Sequence, residues 1–267
     1  MSFTLAGKKV SRLGIGTWRM GGAEQAETGN DAGYIDTLRF ALELGVNIID
    51  TAEMYGAGHT EELVGRVIKG MDRDSLCIIT KVWPDHLRRR DVEASARASL
   101  KRLGTDYIDL YLIHWPNPQI DIRETVSALE ELVDSGIIRH IGVSNFGVGD
   151  LGAAMAACKR YEIEANEIKY NMAERGCERD VIPFCERNGI RVIAYTPMAK
   201  GSVAGMRQLE PMSERIKKTP IQIALNYLMK RSIPIPKASS KEHWAEILGS
   251  VGWELDAKDY ADLSAAQ

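Results

Sequence analysis

Four side chains of complementary chemistry stand at or just beyond the ends of apolar runs: Asp50, Tyr55, Lys81 and His114. Residues 46–49 read as a buried strand, with Asp50 where it ends and Tyr55 in the loop beyond. Lys81 follows the run at 75–80, and His114 the run at 107–113. A free phenol has a pKa near ~10. It becomes a useful proton donor near neutrality when a neighbouring cation stabilises its phenolate, and Lys81 can supply that charge. A lysine in a dry site tends to lose its proton unless a carboxylate holds it charged, which Asp50 can do. His114 can hydrogen-bond a substrate oxygen and orient it beside Tyr55. Together they describe a proton-donating site with a polarising hole for a carbonyl oxygen. The same residues admit a plainer reading: an Asp50–Lys81 ion pair stitching two strands, with Tyr55 and His114 incidental.

Such residues act together only if the fold brings them together. Apolar runs predict a hairpin over 4–10, then strands at 13–16, 46–50, 75–80, 107–113, 137–143, 165–168, 190–194 and 233–235. Helical spacing predicts helices over 33–44, 61–69, 91–103, 122–134, 150–160, 181–188, 220–230 and 242–248, with a last one at 256–263. Asp91 is the expected cap of the third helix. Residues 198–218 read as a long irregular loop, a candidate mobile flap through Gly201, Ser202 and Gly205. Strict alternation of strand and helix implies a parallel sheet. Eight such units predict the α/β class, a closed (β/α)8 TIM barrel with a short N-terminal hairpin and an extra C-terminal helix, in one domain over 1–267. In a barrel the carboxyl ends of the strands converge on one mouth. That adds Thr17, Trp18, Ser144, Asn145, Glu167, Asn171, Tyr195 and Lys237 to the first four residues.

Gly14-Ile15-Gly16-Thr17-Trp18, Asp50-Thr51-Ala52-Glu53-Met54-Tyr55-Gly56, Leu112-Ile113-His114-Trp115-Pro116, Gly142-Val143-Ser144-Asn145-Phe146 and Ile235-Pro236-Lys237 resemble the aldo-keto reductase superfamily, over about residues 3–265. The resemblance implies a barrel that binds NADPH, or NADH, without a dinucleotide-binding domain. Consistently, Gly14-x-Gly16 is followed by Arg19 where a GxGxxG fingerprint needs glycine. It implies Asp50, Tyr55, Lys81 and His114 as the catalytic set, with Tyr55 the general acid in reducing an aldehyde or ketone. It implies Ser144 and Asn145 on the nicotinamide carboxamide, Tyr195 stacked on the ring, and Lys237 and Ser239 at the adenosine phosphate. Gly16, Thr17, Trp18, Asp50, Glu167, Thr196, Pro197, Met198 and His243 complete the implied cofactor-binding set. Three residues depart from the family pattern. Glu167 stands where an amide is common, and an ionised carboxylate only accepts hydrogen bonds. His243 replaces an arginine, a weaker grip on a 2′-phosphate. Ile247 replaces an adenine-facing asparagine. Lys237 and Lys241 leave positive charge nearby, which favours NADPH. The implied substrate pocket includes Trp18, Met54, Trp83 and Trp115. The chain ends at Gln267 without a long closing loop, which implies an open pocket.

Bulk properties exclude other classes. A net charge of −3 leaves no electrostatic footprint for nucleic acid or an anionic membrane. The four cysteines, scattered without CxxC or zinc-like spacing, suggest a reducing compartment and no metal centre. Neither a signal sequence at Met1-Ser2-Phe3-Thr4 nor a membrane-spanning stretch is evident, so the expectation is a cytoplasmic protein acting on a small carbonyl substrate. Arg88, Arg89 and Arg90 read as a solvated approach to a helix rather than an anion site. Two rival functions remain open: a nicotinamide-nucleotide sensor with little turnover, and a barrel isomerase using Asp50 and Lys81.

Overall fold

The computed structural model describes residues 3–265; the ends of the expected 1–267 unit, including Met1 and Ser2, lie outside the described residues. A hairpin, β1 (Phe3–Leu5) and β2 (Lys8–Val10), precedes eight parallel strands. These are β3 (Ile15–Gly16), β4 (Ile48–Asp50), β5 (Cys77–Val82), β6 (Ile108–Ile113), β7 (Ile138–Ser144), β8 (Ile163–Lys169), β9 (Arg191–Tyr195) and β10 (Ile233–Pro234). They pair in chain order from β3 to β10. Two backbone bonds close the ring: the N–H groups of Gly14 and Gly16 donate to Pro234 O and Pro236 O, each at 2.9 Å. A Cβ on Gly16 would stand 2.6 Å from the carbonyl oxygen of Ile235. Glycine is therefore what lets the first and last strands meet.

The crossovers hold α1 (Asp31–Glu43), α2 (His59–Ile68), α3 (Arg89–Leu103), α4 (Ile122–Asp134), α5 (Val148–Ala157), α6 (Val181–Arg187), α7 (Glu210–Ile216) and α8 (Pro220–Met229); α9 (Lys241–Leu248) and α10 (Ala257–Ala265) follow the last strand. Most bury one apolar stripe on the strands, as α2 does with Leu63, Val64, Val67 and Ile68. The α/β barrel with its hairpin and extra C-terminal helix is as expected, and some details differ. Asp91 does not cap α3; the helix starts two residues earlier, at Arg89, and Asp91 sits in its first turn. Residues 198–218 are not uniformly irregular. They hold the 3-10 segments Ala199–Gly205 and Arg207–Leu209 and the helix α7, whose Pro211 suits a helix start. Strand β8 extends to both sides of the predicted 165–168.

The hairpin floors the barrel. Leu5, Ala6 and Val10 pack among Ile48, Cys77, Ile79, Leu110 and Ile193, the inward side chains of the strands. Beneath them Asp109, fully buried, takes Lys8 Nζ at 2.7 Å, Arg73 Nη2 at 2.6 Å and the Ile78 N–H at 2.8 Å. The other end of the barrel is open. Among the described residues no helix is long and apolar enough to cross a membrane.

Candidate active site

Strands β4 and β5 deliver the central contact. Asp50 is the last residue of β4, and Lys81 the fifth of β5. Lys81 Nζ lies 2.5 Å from Asp50 Oδ1, 3.0 Å from Thr51 O and 3.3 Å from Tyr55 OH. Tyr55 opens a short 3-10 turn after β4, and Gly56 behind it adopts a φ of 56°, a left-handed conformation glycine takes without strain. The phenol packs against Trp18 at 4.8 Å between ring centroids and edge-on to His114 at 5.8 Å. Trp83 also packs edge-on to the His114 ring, at 5.4 Å between centroids.

The groups after β7 and β8 interlock with these. Asn145 holds a positive φ of 62°, and its Nδ2 donates to His114 O (3.1 Å) and Ser144 Oγ (2.9 Å). Its Oδ1 accepts from the Tyr195 hydroxyl at 2.8 Å. Ser144 Oγ donates to the Glu167 backbone carbonyl at 3.0 Å, and Glu167 Oε1 lies 3.4 Å from Lys81 Nζ. Asn171, by contrast, is consumed by its own turn: its side chain takes the N–H groups of Ala173 and Glu174 and donates to Thr196 O.

Electrostatics follow from burial. Burial alone would strip the Lys81 proton, but the carboxyl charge beside it, that of Asp50 first, outweighs burial and holds the ammonium charged, its pKa raised. Burial pushes the Tyr55 phenol up despite the opposing charge of Lys81. Burial, helped by Lys81, lowers His114 to about 3, so its ring is neutral. Burial likewise raises the carboxyls of Asp50 and Glu167, against Lys81.

A cavity of about 750 Å³ opens over these groups. Asp50, Tyr55, His114, Ser144, Asn145, Glu167 and Tyr195 form its inner wall. Gly16, Trp18, Thr196, Pro197, Met198, Lys237, Ser239, His243 and Ile247 also line it. Lys81 lies behind the wall, and Thr17 is buried, its hydroxyl donating to Asp50 O at 2.8 Å. Met54 and Trp115 reach the cavity, whereas Trp83 touches it only through His114. Lys241 turns away to Asp36 at 2.9 Å. Arg88 and Arg89 pair with Glu124 and Glu131 of α4, as a solvated helix approach would.

Arg19, Lys200, Gly201, Ile221 and Glu246 line the cavity without having been expected there. Arg19 follows Trp18 directly, but its φ of 63° turns the chain at that point, and no spacing rule signals it. Its charge helps burial to lower the pKa of Lys237. Arg19, Asn145, Thr196 and Lys200, all non-glycine residues at positive φ, line the same cavity. Such backbone concentrates at functional sites.

A barrel with one open mouth, floored by a hairpin and lined by an acid, a phenol, an imidazole and a hidden lysine, defines a class of site that known proteins share. The Aldo/keto reductase family model matches residues 12–267, and the chain belongs to that family. It is similar to the Aldo-keto reductase YhdN of Bacillus subtilis (strain 168), 39% identical over 208 residues. That match covers 74% of this chain and 62% of the relative, so less than two thirds of the relative's length is spanned. It is also similar to the crystal structure of the thermostable aldo-keto reductase Tm1743 in complex with the inhibitor epalrestat, with a TM-score of 0.94, 41% identity and 99% of each chain covered. A third likeness is to an aldo-keto reductase from Klebsiella pneumoniae in complex with NADPH. There the TM-score is 0.91 at 32% identity, covering 99% of this chain and 94% of that one.

Proposed function

We propose that this protein is an NADPH-dependent carbonyl reductase, one unit over residues 1–267, interconverting aldehydes or ketones with alcohols. The observation that carries the reading is the contact of Lys81 Nζ with Tyr55 OH at 3.3 Å, on the wall of a large cavity, with Lys81 clamped by Asp50.

The donor set suits a nicotinamide dinucleotide. Ser144, Asn145 and Glu167 set hydroxyl, amide and carboxyl groups on the cavity wall where a carboxamide would be held, and Tyr195 offers a ring face. Lys237, Ser239, His243 and Arg19 put positive and hydroxyl groups where phosphates would be held, beside the N-terminus of α9, which Ser240 caps. That charge favours NADPH over NADH. Bound there, NADPH supplies a hydride for the carbonyl carbon.

The chain's own residues manage the proton. Burial keeps Tyr55 protonated at neutral pH, as a general acid must be. Its oxygen accepts from Lys81, so its own proton is free to point at a substrate oxygen. An alkoxide is a far stronger base than a phenolate and takes that proton, and Lys81 then stabilises the phenolate left behind. Neutral His114 can donate a hydrogen bond to the same oxygen. Trp18, Met54 and Trp115 supply an apolar mouth that limits water. The four cysteines are unpaired, which supports the cytoplasm as the place of action.

The test titrates the protein with NADPH and with NADH by tryptophan fluorescence, then follows cofactor absorbance with a panel of aldehydes and ketones. Tyr55→Phe is expected to lower turnover about 10²- to 10⁴-fold while leaving NADPH affinity nearly unchanged. Unchanged turnover in that variant would remove Tyr55 from its role. Binding without oxidation of cofactor would favour a nucleotide sensor, and binding of neither cofactor would overturn the reading.

A further inference from the structure

Two carboxyl groups on the inner wall of the cavity meet one ammonium just behind it, all three almost fully buried. The side chains of Asp50, Lys81 and Glu167 are 3%, 0% and 3% exposed. If all three were ionised the cluster would carry a net negative charge with little water to solvate it, an expensive arrangement. A lysine ammonium has three protons to donate. Those of Lys81 have three nearer acceptors, Asp50 Oδ1 at 2.5 Å, Thr51 O at 3.0 Å and Tyr55 OH at 3.3 Å. Glu167 Oε1, at 3.4 Å, is a fourth neighbour without a proton of its own. Its Oε2 is buried and accepts no hydrogen bond from any donor among the described residues. A carboxylate so placed is poorly satisfied; a carboxylic acid, with a proton of its own to donate, is not.

We propose that Glu167 is held as a neutral carboxylic acid sharing its proton with Asp50, so that the Asp50–Lys81–Glu167 cluster is electrically neutral and sets the proton-donating strength of Tyr55. The titratable groups facing Glu167 are Asp50 from β4, Tyr55 from the loop after it, Lys81 from β5 and Tyr195 from β9; its β7 neighbour, Ser144, does not titrate. Both carboxyls are pushed upward, by burial first; Asp50 raises Glu167 further, whereas Glu167 lowers Asp50, so Glu167 is the one of the two that keeps the proton. Glu167 acts through Lys81 and is a positioning residue. Its ionisation would add a negative charge that raises the phenol pKa. Tyr55 would then be a weaker acid, and reduction would slow as pH rises.

The consequence for Tyr55 rests on the reductase reading, but the proton itself can be observed without cofactor or substrate. Infrared difference spectra of the intact protein at pH 7, wild type minus Glu167→Gln, should show the carbonyl band of a protonated carboxylic acid. Carbon-13 labelling of glutamate carboxyls should shift that band. The subtraction removes Glu61, another buried carboxyl that burial pushes upward. No difference band, or one indifferent to glutamate labelling, would overturn the proposal. In the second arm, the alkaline limb of NADPH-dependent reduction should move up by about one pH unit or more in Glu167→Gln, since the added charge can no longer form. Identical limbs would overturn the link to Tyr55. A band without any NADPH binding would sink the reductase reading and leave the shared proton standing.

Discussion

His114 illustrates how a side chain's surroundings decide its chemistry. Buried against Tyr55 and Trp83 and near a charged lysine, it is held near 3. It therefore works as a neutral hydrogen-bond donor and takes no part in acid–base exchange near neutrality. NMR of the ring should show no titration between pH 5 and 8; a midpoint near 6.5 would contradict the geometry. The sign for stability follows. A depressed folded pKa means that the unfolded chain binds the proton first, so the contribution is complete above about 6.5 and is lost as pH falls toward 3. Across that window wild type should lose up to about 1.4 kcal/mol per pH unit more than His114→Gln, read from chemical denaturation at each pH. The identities of Asp50, Tyr55, Lys81 and His114 were legible because each closes or follows an apolar run. The environment of Glu167 was not. Reading it as a lone carboxylate missed that β4, β5 and β8 bring two acids to one lysine, a juxtaposition no local spacing reveals.

At the scale of elements, strands and helices were legible wherever period and punctuation agreed. They failed where the punctuation misled, at one helix start and inside one loop. Asp91 looked like a cap because it is acidic and precedes an apolar pattern, yet α3 begins at Arg89 under the three consecutive arginines. Within 198–218 the polar, glycine-bearing composition hid α7, only seven residues long. Gly16 makes the sharpest test of an element contact. Gly16→Ala forces a methyl toward the Ile235 carbonyl, 2.6 Å away. Because that neighbour is backbone, the strands must part. A loss of about 1–3 kcal/mol is expected, with weaker NADPH binding, since Gly16 also lines the cavity. Stability and affinity both unchanged would show that the closure has slack.

At the scale of the molecule, the barrel separates holding from doing. The floor keeps its charges on Asp109, far from the mouth. Asp109→Ala would leave Lys8 and Arg73 without their buried partner and should cost about 3 kcal/mol, with a lower melting temperature. Turnover per folded molecule should stay at the wild-type level; a selective loss of activity would mean that the floor and the mouth are coupled. The barrel as a whole was legible from eight repeats of strand and helix. Its closure was read from the same repeats; what they do not reveal is how the ring shuts, through two backbone bonds from Gly14 and Gly16 to Pro234 and Pro236.

That closure also imposes a schedule. Gly14 and Gly16 bond to Pro234 and Pro236, so the first strand of the ring waits for the last. At roughly 5–20 residues per second of synthesis, the newborn chain carries an open-edged, unfinished sheet for on the order of ten to forty seconds. Throughout that time the bonding groups of the first strand are available to any neighbouring chain. Expression yield, and not only catalysis, will therefore register substitutions at Gly14, Gly16 and the segment that meets them.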